Sequence, residues 1–365
     1  MKVLFLSAAN SIHTVKWVNA LVERNHEIHL VYNCGHEPSV DKIDERVVLY
    51  KLKYSGTKGY YLNAYELKKI CEKIEPDVIN VHYASGYGTL ARVARLESVI
   101  LSIWGSDVYE FPYQSRLKRL ILKKNVNYAS ALASTSHCMA MQLRMLMRDL
   151  KKEITITPFG IDLEIFSKDE FQEYSDKIVI GNIKTLKPLY GISDLIKAAH
   201  LMLIQLPEEI SKKVIVEIYG DGEQKEELER EIYELNEQDR IFLKGKIPNL
   251  EVPAVLNRFA IFCATSHHES FGVSVIEAMA MKIPVVVTNV DGFKEVIEDG
   301  VTGIEVNAGN STQIANALCE LVLNKEKRKI MGENGRKRVE KLYNWYDNVT
   351  VMENLYEKMV RMHRK

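Results

Sequence analysis

Twelve short apolar runs, spaced along the whole chain, restrict the possible folds more than any other feature of the sequence. KVLFLS, EIHLVY, RVVLYKL, DVINVHY, SVILSIW and ALAST come first. After a break come KIVIGNI, KVIVEIYG, IFLKG, AIFCAT, IPVVVT and TGIEV. Brief runs rich in Val and Ile read as strands buried on both faces, and helix-patterned segments separate several of them. Such alternation builds parallel sheets covered by helices, so we expect an α/β chain with two doubly wound parallel sheets. The break falls at Pro158–Asp176, PFGIDLEIFSKDEFQEYSD, turn-like and then acidic. A length of 365 residues suits two domains, taken here as 1–160 and 161–345. In open parallel sheets, ligands sit beyond the carboxyl ends of strands, so functional residues are sought just after the apolar runs.

The stretch Ser266–Met281, SHHESFGVSVIEAMAM, follows the run AIFCAT. Glu269, Ser270, Phe271 and Gly272 form a turn, and Val273 to Met281 reads as a helix. A strand that turns into a helix leaves backbone N–H groups at the helix start, and with the helix dipole they favour phosphate. Helical side chains lean toward the N-terminus, so Glu277 can point back over the turn. Carboxylates accept from sugar hydroxyls but repel bare phosphate. Read without further context, both acids are equally consistent with solvated surface charges.

The pattern E-S-F-G-x-x-x-x-E followed by A-M-A-x-x-x-P-V-V resembles the signature of the family 4 glycosyltransferases. Those are retaining, nucleotide-sugar-dependent enzymes of the GT-B fold, two facing Rossmann-like domains with a cleft between them. The resemblance implies that Glu269, with Ser270, Phe271 and Gly272, lies by the donor sugar and diphosphate, and that Glu277 binds the ribose. It implies a nucleotide-binding second domain, an acceptor-side first domain, and a final helix, 346–365, packing back on the first. It runs from about residue 3 to 360 and is strongest from 177 to 305.

Other segments carry the same likeness. Gly181 to Gly191, GNIKTLKPLYG, resembles the segment whose Arg and Lys grip the diphosphate. Here Lys184 takes the Arg position, and Lys187 is the nearest second cation, since Leu189 stands where a Lys often precedes the Tyr. A pyrophosphate leaving group needs positive charge in the transition state, which lysine supplies without arginine's fork. Tyr219-Gly220-Asp221-Gly222 resembles a strand end where glycines let the nucleotide approach, and Gly245 to Pro248, including Ile247, the segment that reads the base through main-chain atoms. Pro158 to Asp162, with Phe166, resembles the interdomain turn; Gly292 and its neighbours read as structural.

In the first domain, Asn10-Ser11-Ile12-His13-Thr14 replaces the family's usual Gly-rich loop. His13 and Thr14 either hydrogen-bond diphosphate or acceptor, or cap the following helix, and Ser11 is expected beside them on the acceptor or sugar side. His82 follows DVINV. Trp104-Gly105-Ser106-Asp107 resembles the H-G-x-D loop, with Trp104 where a sugar-contacting His usually stands. Gly105 or His82 is the expected substitute on the sugar or acceptor side. Glu269, Lys184 and Asp107 are the expected catalytic groups, and no carboxylate nucleophile can be named.

Composition sets the remaining bounds. Hydrophobic residues make up 46% and charged residues 27%, ordinary values for a globular protein. Residues 1–160 hold 22 Lys and Arg against 15 Asp and Glu, the remainder 27 against 34. A basic first half points to an anionic surface or acceptor, such as a lipid-linked saccharide. The sharpest basic run, Arg116 to Lys124, suits an amphipathic helix on anionic lipid or a solvated helix face. Five scattered cysteines without C-x-x-C, and no apolar run of spanning length, point to a reduced cytoplasmic protein, either free or at the inner face of the membrane. D-x-D, G-x-x-x-x-G-K-[ST], H-E-x-x-H and G-x-G-x-x-G are absent, so no metal, cofactor or nucleic acid is expected beside a nucleotide-sugar donor, by family weight a UDP-sugar. Rival readings are a nucleotide-sugar 2-epimerase, a non-catalytic GT-B scaffold and a general lipid-surface protein.

Overall fold

Residues 1–38, 42–167 and 176–363 are described by a computed structural model. The acidic part of the expected break, 168–175, lies outside them. The chain divides into two units, one taking Met1–Phe159 and the chain from Tyr346 on, the other Gly160–Trp345.

The first unit holds a seven-stranded sheet: β1 (Lys2–Leu6), β2 (Glu27–Cys34), β3 (Val48–Ser55), β4 (Val78–His82), β5 (Val99–Ile103), β6 (Ala131–Ser134) and β7 (Ile154–Ile156). Its order is β3-β2-β1-β4-β5-β6-β7, and every pairing is parallel. The central strands β4 and β5 are buried at every position, whereas β3, at the edge, is mostly exposed. That matches their sequences: VINVH and VILSI are nearly all apolar or small, while VLYKLKYS alternates with lysine. Six of the seven are runs read from the sequence. β7 escaped because three residues show no periodicity.

The helix Trp345–His363 closes this unit. Its Glu353 pairs with Arg24 and with His26 Nε2 (2.9 Å), and Asn80 Nδ2, on β4, donates to Tyr356 OH (2.7 Å).

The second unit holds six strands: β8 (Ile178–Ile183), β9 (Val214–Tyr219), β10 (Ile241–Gly245), β11 (Ile261–Ala264), β12 (Val285–Thr288) and β13 (Gly303–Val306). The order is β10-β9-β8-β11-β12-β13, again all parallel. All six were legible as apolar runs. Ile180, Val216, Ile218, Ile261 and Val286 build the core against the helices Ile192–Gln205 and Ser311–Leu323.

Both sheets reverse their winding once, between β1 and β4 in the first and between β8 and β11 in the second. A switch of winding leaves a crevice at the strand ends, the common place for a ligand in this architecture. In the second unit Asn182 Nδ2 ties the seam, donating to Cys263 O (2.7 Å).

Candidate functional site

Several of the residues singled out from sequence follow the strands that flank these two switch points. In the second unit, Lys184 follows β8 and Glu269 follows β11. Their side chains form an ion pair, with Lys184 23% and Glu269 12% exposed. Lys184 Nζ also stands 4.3 Å from the centre of the Tyr190 ring. Its main chain is fixed by a bond from Lys184 N to Tyr219 O (2.9 Å). Gly220 makes that approach possible: its φ is +154°, and a Cβ there would stand 1.9 Å from Lys184 O.

The turn Glu269–Gly272 leads into the helix Val273–Ala280. Gly272 begins it with φ +97°, a left-handed conformation that glycine accepts without strain. Ser270 N donates to Glu269 Oε1 (3.3 Å). Phe271 differs from expectation in one respect: its ring is buried edge-on to Tyr343 (5.5 Å), so its side chain belongs to the core. Glu277 is the fifth of eight helical residues and half-buried. Lys187 is exposed, at the start of the turn Pro188–Tyr190, and Ile247 is half-buried in the loop after β10.

In the first unit, Ser7, Thr14 and His82 meet at the β1–β4 switch. Ser7 Oγ shares hydrogen bonds with Thr14 Oγ1 (2.7 Å) and His82 Nδ1 (3.0 Å), and all three are buried. The His82 ring lies 4.0 Å from that of Trp104. His13 stacks on Phe159 at 4.0 Å and meets Trp104 edge-on at 5.6 Å. Burial lowers the pKa of His82 to about 3, assisted by His13, and that of His13 to about 4, assisted by Lys16. Both rings are therefore neutral at pH 7. Ser11 starts the helix Ile12–Glu23 without a side-chain cap bond.

Asp107 is wholly buried. Its Oδ2 accepts from Ala84 N (2.6 Å) and its Oδ1 from Trp104 N (3.1 Å), stapling the loops after β4 and β5. Burial pushes its pKa up to about 6 against the pull of those amides. Both stapled loops take left-handed turns, Tyr83 at φ +70° and Gly105 at φ +80°. For Tyr83 that is a strained choice, and no sequence signal announces it.

The basic run forms the helix Arg116–Tyr128, capped by Ser115 Oγ, which accepts from Lys118 N (3.2 Å). Leu122 and Val126 are buried, but Leu117 is 66% and Leu120 47% exposed, beside exposed Arg116, Arg119 and Lys124. Among the described residues no helix is long and apolar enough to cross a membrane, and no three His, Cys, Asp or Glu side chains are grouped to hold a metal ion.

Two family models divide the chain at the same place as the fold. "Glycosyl transferase 4-like" matches residues 2–136, and "Glycosyl transferases group 1" matches 164–338. The chain belongs to the glycosyltransferases. This glycosyltransferase is 24% identical over 359 residues to the N-acetyl-α-D-glucosaminyl L-malate synthase of Bacillus anthracis, covering 93% of this chain and 91% of that one. It is 25% identical to the α-monoglucosyldiacylglycerol synthase of Acholeplasma laidlawii, over 76% and 77% of the two chains. Its fold matches that of HepE from Anabaena, crystallised with UDP, with a TM-score of 0.77 at 18% identity over 98% and 99% of the chains. The architecture is thus GT-B, with two Rossmann-like units.

Proposed function

We propose that this glycosyltransferase moves a sugar from a UDP-sugar to an acceptor hydroxyl, with retention at the anomeric carbon, in cell-surface polysaccharide or glycolipid synthesis. The observation that carries the proposal is the contact of Lys184 with Glu269 at the second switch point, directly before a helix start. One cation for a diphosphate and one carboxylate for sugar hydroxyls lie side by side there. UDP as the nucleotide is supported by the HepE complex, and a lipid acceptor by the name of the Acholeplasma relative.

In this reading the bond from the anomeric carbon to the phosphate oxygen breaks, and its electron pair leaves with the diphosphate. Lys184 and the amides after Glu269 stabilise that charge, with Lys187 as an outer cation. Glu269 holds the sugar, Glu277 the ribose, and main-chain atoms at Gly220 and Ile247 the nucleotide. The acceptor oxygen attacks from the face the diphosphate leaves, and its proton passes to the departing phosphate oxygen. Ser11, His13, Thr14, His82, Trp104 and Gly105 form the acceptor side. Asp107 has both oxygens committed to main-chain amides, so its part is to position that side rather than to react.

Glu269→Ala should lower turnover far more than donor affinity; unchanged turnover would count against the assignment. Product analysis without acceptor separates transfer from 2-epimerisation. A second reading concerns location. Between Glu110 and Asp149 the chain has no acidic residue and seven Lys or Arg, and Leu117 and Leu120 project among them. That surface suits an anionic membrane. Sedimentation with vesicles containing anionic lipid should lose the protein when Arg116, Arg119 and Lys124 become Ser.

A further inference from the structure

We infer that Lys184 is governed by two neighbours with opposed effects: Tyr190 positions it, and Glu269 is an internal counter-anion that an incoming diphosphate must displace. The inference rests on the nucleotide-sugar reading above.

Three side chains carry it. Lys184 Nζ lies over the Tyr190 ring at 4.3 Å and in contact with the Glu269 carboxylate. A lysine stem is flexible, so an ammonium is well placed only if something holds it. An aromatic face does so without neutralising the charge. The ring is itself anchored to the segment that carries Glu269. Tyr190 N donates to Lys187 O (2.9 Å), His267 N donates to Leu189 O (2.9 Å), and Thr265 Oγ1 donates to Gly191 O (2.7 Å). Tyr190 and Glu269 therefore approach Lys184 from two loops sewn together.

The consequence is competition for one cation. Without ligand, Glu269 neutralises Lys184. A diphosphate takes Lys184 over and leaves Glu269 without its partner beside new negative charge, in a site too enclosed for water to screen fully. A complete sugar donor offsets this, because its hydroxyls donate to the released carboxylate. A bare nucleoside diphosphate does not. Glu269 thus weakens the leaving product selectively and favours its release after transfer.

The test is calorimetric titration with UDP, GDP and ADP of the wild type and of Glu269→Gln, Tyr190→Phe and Tyr190→Leu. Glu269→Gln keeps the shape and removes the charge, so it should bind the free nucleotide roughly tenfold more tightly while turning over more slowly. Tyr190→Phe keeps the ring and should retain wild-type affinity; Tyr190→Leu should bind several-fold more weakly. Equal or weaker binding by Glu269→Gln overturns the counter-anion role, and equal affinity of the Phe and Leu variants overturns the positioning role. Failure of the wild type to bind any of the three nucleotides would instead overturn the donor reading, and this inference with it.

Discussion

The two switch points share a topology and differ in chemistry. At the first, His13, His82, Trp104 and Phe159 pack ring against ring, the imidazoles are neutral, and Asp107 is wholly buried. At the second, Lys184 and Glu269 form an ion pair that remains partly open to solvent. The first is built like an extension of the core, the second like an ionic receptor. Strand order fixes where a crevice lies, while residue choice at the strand ends decides whether it is preset by packing or completed by a ligand. Substitutions at the second should therefore cost activity, and at the first, stability.

The largest expected effect is Lys184→Met, which should lower turnover with a UDP-sugar about 100-fold or more. Persistent turnover would remove the ionic half of the contrast. Next is Asp107→Ala, which strands the amides of Ala84 and Trp104 and should cost about 2–6 kcal/mol in urea unfolding, at roughly 1–3 kcal/mol per buried unsatisfied group. A loss below about 1 kcal/mol would mean the first switch point is not prepacked. Third is pH. The His13 pKa falls to about 4 in the fold, so the unfolded chain protonates first as pH drops. Stability from His13 is complete above its ordinary pKa and is lost as pH falls toward 4. His13→Phe keeps the stacking on Phe159, so relative to wild type it should gain about 3 kcal/mol between neutral pH and pH 4. Asp107, raised to about 6, works in the opposite direction over that window, so the difference between the two proteins is the readout. The smallest effect is Lys187→Ala: an exposed lysine beside the caged one should change donor affinity by no more than about threefold.

Much of the fold could be read because its strands are apolar runs separated by helices, a pattern set by burial on both faces. The one strand that escaped, Ile154–Ile156, is an edge piece of three residues. The acids and lysines after strands were legible as candidates, since charged residues at such positions have few structural uses. What sequence did not reveal was pairing. Nothing in GNIKTLKPLYG announces that Tyr190 lies against Lys184, because the contact depends on a turn folding back onto the loop of another strand. The Phe271 ring turns away into the core for a similar reason: its neighbour, Tyr343, is 72 positions away. Asp107 looked reactive because its environment is invisible in sequence; two amides from loops after different strands claim its oxygens.

The return of the helix Trp345–His363 also orders events during synthesis. Ile161 bridges Asn344, and Trp345 N donates to Ile161 O (3.0 Å), so the strand of chain leaving the second unit runs beside the one entering it. All of Gly160–Trp345 emerges from the ribosome before Glu353 and Tyr356 can reach Arg24 and Asn80. The portion made first is thus the last to be finished, and β4 keeps an uncapped buried asparagine until the tail arrives. A chain truncated after residue 345 should carry a protease-resistant second unit and a susceptible first.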